Sequence, residues 1–211
     1  MIADFDLTPL QKSRLAVLEE LYREWNARIN VISRKDIEHV FDHHVLHSLA
    51  IARYLMTDVA LYEAFSHASV LDLGTGGGFP GIPLAIVFPE ARFVLCDSVG
   101  KKTIVAQAVA TALELENVQV VNTRAENLPG PFDFVVSRAV ASLTDLYPWV
   151  KGKFSRGVLC LKGGDINEEI AGVMARYHLP RGSVHTWPIS SWLADDPYYE
   201  GKLVVHVEKS A

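Results

Sequence analysis

Apolar positions follow two different rhythms along the chain. Up to about residue 66 they recur at three- and four-residue steps. Leu18, Leu21, Tyr22, Trp25 and Ile29 lie on one face behind Thr8-Pro9, which predicts an amphipathic helix over 9–29 with Thr8 as cap and Pro9 in its first turn. A second stripe of Ile37, Val40, Phe41, His44, Ser48, Ile51 and Leu55 predicts a helix over 35–55 capped by Ser33, and a short third helix is expected near 58–65. From Ser69 onward, short apolar runs alternate with helical patterns. Strands are expected at 69–73, 91–97, 117–123, 133–137 and 157–162, with helices at 81–88, 99–115, 142–150 and 166–178. Segments 183–189 and 203–207 flank the loop 190–201 and read as an antiparallel pair. This alternation predicts an α/β fold: a seven-stranded, mostly parallel sheet with helices on both faces. The expected organisation is a helical cap over 1–66 on a core over 67–211, packed as one unit.

Composition narrows the class. Of 211 residues, 49% are hydrophobic, enough for a sizeable core. No run approaches the roughly 18 apolar residues of a membrane span, and Met1-Ile2-Ala3-Asp4-Phe5-Asp6 has no basic segment before an apolar one, so a cytoplasmic protein is expected. Cys96 and Cys160 both fall in apolar strands and read as reduced core residues. The net charge of −5 lacks the basic footprint of an avid nucleic-acid binder. Arg23, Arg28, Arg34 and Lys35 still crowd one region, which leaves room for a local basic patch.

Chemistry is expected beyond the carboxyl ends of the strands, where open α/β sheets bind ligands. There the chain reads Val70-Leu71-Asp72-Leu73-Gly74-Thr75-Gly76-Gly77-Gly78-Phe79-Pro80-Gly81, a buried strand entering a glycine-rich turn and a helix. It nearly matches a dinucleotide fingerprint but lacks the final glycine, which disfavours a nicotinamide-dependent oxidoreductase. Asp97 ends the next strand about 20 residues on, where an acid can accept from ribose hydroxyls. An acid in the first strand, an open glycine turn and this second acid resemble the S-adenosylmethionine pocket of class I methyltransferases. The plain alternative is an ordinary strand-to-helix turn.

The residues just after the fourth strand bear on the acceptor. Enzymes that methylate exocyclic amines show Asp/Asn-Pro-Pro-Tyr/Phe there, and this chain has Ser137-Arg138-Ala139-Val140. Ring-carbon methylation needs a cysteine nucleophile, and both cysteines are expected in the core. A ring nitrogen such as guanine N7 has a free lone pair and no proton to lose, so positioning suffices. Arg138 suits a cofactor carboxylate or guanine O6, provided it leaves N7 open; a surface ion pair is its alternative. Arg124 and Lys162 read equally as surface cations, and Lys101-Lys102 as either a solvated helix start or a phosphate contact. His43 and His47 are one helical turn apart, but there is no His-Glu-x-x-His carboxylate and no third ligand is signalled, so no metal is expected. Trp25 and Phe41 lie at core spacing.

Several blocks, taken together and in order, resemble the bacterial RsmG family of 16S ribosomal RNA 7-methylguanosine methyltransferases, also called glucose-inhibited division protein B. They are Trp25-Asn26-x-x-Ile29-Asn30, His44-x-x-x-Ser48, Leu71 to Leu84, Asp97-Ser98-x-Gly100-Lys101-Lys102, Arg124-x-Glu126, Ser137-Arg138-Ala139-x-Ala141-Ser142-Leu143 and Leu161-Lys162-Gly163. The resemblance implies a Rossmann-like class I fold and S-adenosylmethionine held by Gly74, Gly76, Phe79, Asp97, Ala125, Glu126 and Arg138. It further implies methyl transfer to N7 of one guanine in 16S ribosomal RNA, within the small subunit or a precursor, by a monomer without metal. Arg138, His44 and Asn30 are the candidate catalytic residues, and Lys101, Lys102, Arg124 and Lys162 the RNA contacts, with Asn30 and His44 on the same surface. Two positions depart from the pattern: His47 stands where aspartate is usual, and Asn30-Val31-Ile32 where asparagine-leucine-threonine is usual. A small-molecule methyltransferase and a non-catalytic cofactor sensor are the rival readings.

Overall fold

The structure, a computed structural model, describes residues 2–209. Met1, Ser210 and Ala211, which the expected boundaries 1–66 and 67–211 take in, lie outside the described residues. The cap begins with helix α1 (Pro9–Asn26), closed by a reciprocal capping box in which Thr8 and Gln11 bond each other's backbone N–H. Gln11 is also buried, and its amide donates to the carbonyls of Ile86 (2.9 Å) and Val87 (3.2 Å), tying the cap to the core.

The expected continuous helix over 35–55 is not formed. The chain makes a 3-10 turn (Ile37–His39), then a π-helical stretch (Val40–Leu46), and only then α2 (His47–Leu55). Ser33 does not cap it with its side chain; its carbonyl accepts from the N–H groups of Asp36 and Ile37 in a turn. The physical reason is Asp36. Its carboxylate is engaged by two histidines further along, His43 and His44, and the wider winding lets both face it. Helix α3 (Val59–Ser66) is capped by Asp58, whose side chain accepts from the Leu61 N–H.

The core alternates strands and helices: β1 (Ser69–Leu73), α4 (Gly81–Val87), β2 (Arg92–Asp97), α5 (Gly100–Ala112), β3 (Val118–Asn122), β4 (Phe132–Arg138), α6 (Leu143–Val150), β5 (Phe154–Gly163), α7 (Asn167–Tyr177), β6 (Val184–Pro188) and β7 (Lys202–Glu208). The sheet order is β3-β2-β1-β4-β5-β7-β6, with β1 to β5 parallel and β7 antiparallel to both neighbours. The order reverses between β1 and β4, so the connections that leave these strands diverge and open a crevice at their carboxyl ends. Leu73 of β1 pairs with Cys96 of β2 and with Ser137 of β4, which brings the glycine turn, Asp97 and Arg138 to one edge of the sheet.

Cap and sheet share one apolar cluster. Leu15, Leu18, Leu49 and Ile51 are buried with Phe88, Phe93 and Phe134, while α6 and α7 cover the opposite face. Phe65 of α3 joins the two parts, fully buried, with its ring 4.9 Å from that of Phe88 and 5.1 Å from that of Phe134. Both cysteines are buried and free, as expected. Truncating a buried phenylalanine removes its burial and leaves a cavity, typically costing about 3–5 kcal/mol. Phe65→Ala is therefore expected to lower the unfolding free energy by that amount in a denaturant titration; a loss under about 1 kcal/mol would mean that the cap is not integral to the fold.

Candidate active site

The turn after β1 is held from outside. The N–H groups of Gly74 and Thr75 donate to the Cys96 carbonyl at 2.8 and 3.0 Å. Gly74 has φ +68°, and a Cβ there would lie 2.5 Å from Val140, so glycine is needed both for conformation and for space. Gly76 also has a positive φ, but a Cβ on it would meet nothing within 4 Å; it faces open volume. Its N–H donates to Asp97 Oδ2 at 2.9 Å, and Asp97 Oδ1 accepts from the Val99 N–H at 2.8 Å.

Beneath the turn lies Asp72, wholly buried. Its Oδ2 accepts from the Thr75 hydroxyl (2.6 Å) and the Gly81 N–H (2.8 Å), while Oδ1 has no partner among the described residues. Burial pushes its pKa up to about 7, against the pull of those two hydrogen bonds. Two cavities adjoin at this edge. The first, about 410 Å³, has Leu73, Cys96, Ala125 and Val140 in its wall and Asp97, Glu126, Arg124 and Trp149 around it. The second, about 540 Å³, is bounded by the glycine turn, Phe79, Arg138, His44, His47, Lys162, Tyr198 and Lys202. Gly74, Lys102 and Ala139 border both. An apolar slot with carboxylates beside it, a bare glycine backbone and the Arg138 guanidinium next to it fit a nucleoside that carries a zwitterionic amino-acid arm.

Arg138, at the end of β4, turns toward the cap. One terminal nitrogen donates to His44 Nδ1 at 2.9 Å and the other to the His43 carbonyl at 3.4 Å, with the guanidinium 5.0 Å from the centre of the Phe79 ring. Guanidinium is only a donor, so His44 Nδ1 must be the acceptor. The ring proton is then on Nε2, which faces Asp36 Oδ2 at 2.6 Å. Burial and the Arg138 charge push the His44 pKa down to about 4, so the ring is neutral at pH 7. Burial alone would raise Asp36, but the hydrogen bonds from His43 and His44 hold it below its ordinary value. Arg138 therefore does not sit in a surface ion pair.

Of the residues singled out from sequence, Gly74, Gly76, Phe79, Asp97, Ala125, Glu126, Arg138, His44, Lys102, Arg124 and Lys162 border one cavity or the other or hold its wall. Lys162 is tied down by Glu169 (2.9 Å) and the Ala141 carbonyl (2.7 Å). Lys101 is exposed on the first turn of α5, outside both linings. Asn30, expected as catalytic, is likewise exposed and borders neither cavity. Its neighbour Asn26 does the local work, accepting from the N–H groups of Val31 (2.8 Å) and Ile32 (2.9 Å), and so turns Val31 into the second cavity. Sequence reasoning missed Asp36, Trp149, Tyr198 and Lys202. Asp36 was absorbed into a helix that does not exist, and the tail residues carry no periodicity or motif.

The family described as "rRNA small subunit methyltransferase G" (GidB) matches residues 11–190. The chain belongs to the GidB family. Relatives named "Ribosomal RNA small subunit methyltransferase G" include one from Flavobacterium psychrophilum, 50% identical, with 96% of this chain and 93% of the relative covered. Another, from Bacteroides fragilis, is 52% identical over 96% of this chain and 95% of its own length. Among solved structures, the magnesium protoporphyrin IX methyltransferase of Synechocystis PCC 6803 with bound SAM aligns with a TM-score of 0.63 at 10% identity, covering 97% of this chain and 99% of that one. A SAM-dependent methyltransferase from Aquifex aeolicus gives 0.55 at 16% identity, covering 84% and 98%. These likenesses show the class I methyltransferase fold in this GidB chain.

A histidine whose folded pKa lies near 4 binds its proton more readily when unfolded, at about 6.5. The stability contributed by the neutral ring is therefore complete above pH 6.5 and is lost as the pH falls toward 4. Denaturant titrations across pH 4–6.5 are expected to show the unfolding free energy rising with pH in the wild type, and rising less steeply in His44→Gln, by up to about 1.4 kcal/mol per pH unit. Parallel slopes would mean that His44 is not held neutral.

Proposed function

We propose that this chain transfers the methyl group of S-adenosylmethionine to N7 of a guanine in 16S ribosomal RNA, acting in the cytoplasm as a monomer on the small subunit or a precursor. The observation that carries the reading is the meeting of the two cavities at Gly74 and Ala139, beside Arg138. The first cavity suits the adenosine, with Asp97 and Glu126 toward the ribose, Gly74 and Gly76 giving close backbone approach, and Ala125 in the wall. The amino-acid arm is answered by Arg138, while Asp72, buried beneath the turn, holds Thr75 and Gly81 in place. When bound, the cofactor supplies a sulfonium-activated methyl group that needs only a well-placed lone pair.

His44 holds Arg138 with Nδ1 and its proton faces Asp36, so it is not free to remove a proton. N7 of guanine asks for no base, which agrees. Phe79 and the Arg138 guanidinium, 5.0 Å apart, form one wall of the second cavity, next to Ala139, which borders both. Lys102 and Arg124 at the rims offer phosphate contacts, with Lys101 beside them on the outside of α5. They form a local patch on a chain of net charge −5, suited to RNA presented in a particle more than to naked RNA. The enclosure of the second cavity by cap and tail favours a second reading, a small-molecule acceptor. Salt separates the two, since an RNA enzyme loses affinity steeply as salt rises.

The test is incubation of the purified chain with methyl-labelled S-adenosylmethionine and small subunits lacking the modification, followed by nucleoside analysis. Label in 7-methylguanosine is expected; cofactor binding with no label in RNA would move the reading to a small-molecule enzyme or a sensor. In the same assay Arg138→Ala is expected to lose about 10²–10³ in turnover, the scale of removing one positioned charged donor. Its unfolding free energy is expected to fall by no more than about 2 kcal/mol. Unchanged turnover would overturn the role given to Arg138.

A further inference from the structure

His47 is a buried polar side chain to which neither cofactor binding nor methyl transfer gives a role. It opens α2 and is 7% exposed, and neither ring nitrogen has a hydrogen-bond partner among the described residues. The His43 carbonyl one turn back is near enough to act on the ring, but it already accepts from the Tyr198 hydroxyl (3.3 Å) and Arg138 (3.4 Å). It forms no well-aligned hydrogen bond with His47, and could in any case serve only one of the two ring nitrogens. Tyr198 and Tyr199 meet the imidazole edge to face at 6.1 and 5.9 Å, which packs the ring without satisfying it. The Tyr199 hydroxyl is directed elsewhere, to the Asp42 carbonyl. Buried polar groups are nearly always paired, and one left open on a cavity wall marks where a ligand completes the set.

The surroundings narrow the choice of ligand. His47, Tyr198 and Lys202 all border the second cavity and none borders the first. They come from the cap and the C-terminal tail, whereas the first cavity is lined by the turns after β1, β2, β3 and β4 with Trp149 of α6. Burial, Arg138 and Lys202 hold the His47 pKa well below its ordinary value, so the ring offers one donor and one acceptor. The Lys202 ammonium sits 3.5 Å from the centre of the Tyr198 ring and donates to the Tyr198 carbonyl. An acceptor nitrogen near fixed cations matches the guanine edge, where the N1–H donor lies beside the O6 acceptor. Adenine would set its amino group against those cations.

We propose that His47 is a guanine-binding, specificity-determining residue that takes the N1–H of the acceptor base while Lys202 faces O6. This rests on the guanine methyltransferase reading and deepens it.

Nitrogen NMR of the full chain labelled at histidine, with His47 assigned by His47→Gln, reads the contact without turnover. Guanosine monophosphate is expected to move the His47 ring nitrogens, and adenosine monophosphate or S-adenosylhomocysteine alone to leave them in place. Movement with S-adenosylhomocysteine alone, equal movement with both nucleotides, or none with guanosine monophosphate overturns the inference. Kinetics supply the second arm: His47→Leu is expected to lose tenfold or more in kcat/KM for small subunits, with S-adenosylhomocysteine affinity within twofold of wild type, and His47→Gln to recover part of the loss. A parallel loss of cofactor affinity would place His47 on the cofactor side and overturn it. Failure of the activity reading looks different. There, His47 responds to guanosine monophosphate but no label enters ribosomal RNA.

Discussion

An arginine side chain donates hydrogen bonds and accepts none, and this constraint sets the geometry around Arg138. Its partner nitrogen on His44 must be bare, so the proton of that ring faces Asp36, and the carboxylate of Asp36 in turn gathers His43 as well. The helix that carries these histidines widens to a π-helical winding over Val40–Leu46. A single strand-end cation thereby sets the tautomer of one residue, the charge of another and the course of a cap segment. It also joins β4 to the cap, so this part of the second cavity's wall is positioned by segments far apart in sequence.

Electrostatic consistency runs through the second cavity. Arg138, Lys162 and Lys202 border it, and a charged imidazole beside them would be doubly disfavoured, by burial and by like charge. His44 and His47 are accordingly held neutral. Asp36 is held below its ordinary pKa by its histidine partners, and Glu169 pairs with Lys162. The positive charge of the cavity is thus carried by Arg138, Lys162 and Lys202 and not by the imidazoles. An entering molecule meets a stable positive field, suited to carbonyl oxygens and phosphates and unsuited to amino groups.

The parts of this arrangement that were legible in sequence are those set by local chemistry. Strand β1 falls at 69–73 as the apolar run predicts, because a central parallel strand is buried on both faces and admits no polar alternation. The glycines of its turn were legible because positive φ and close approach leave few alternatives. The continuous helix over 35–55 failed for the opposite reason. Its stripe was real, yet a long-range demand from Arg138 and the two-histidine bond to Asp36 overrode the regular winding. Asn30 failed because its motif marks a turn, and the turn is stabilised by Asn26, which bonds Val31 and Ile32. Tyr198 and Lys202 were invisible because a loop and a strand start become site residues only when β7 inserts antiparallel beside β5 and β6 folds back on it.

Two of the positions at which the sequence departs from the family pattern, Val31 and His47, both border the second cavity and neither borders the first. Val31 also packs against Gly77, where an added Cβ would lie 2.9 Å from it, so the substituted side chain rests on the glycine turn itself. The division has a physical basis. The first cavity is built largely by the turns after β1, β2, β3 and β4, whose strand register fixes them together. The second cavity adds to the glycine turn and the ends of β4 and β5 side chains that reach inward from the cap and the tail. A histidine in place of an acid at position 47 keeps a hydrogen-bonding group in the same wall while removing a negative charge from among Arg138, Lys162 and Lys202.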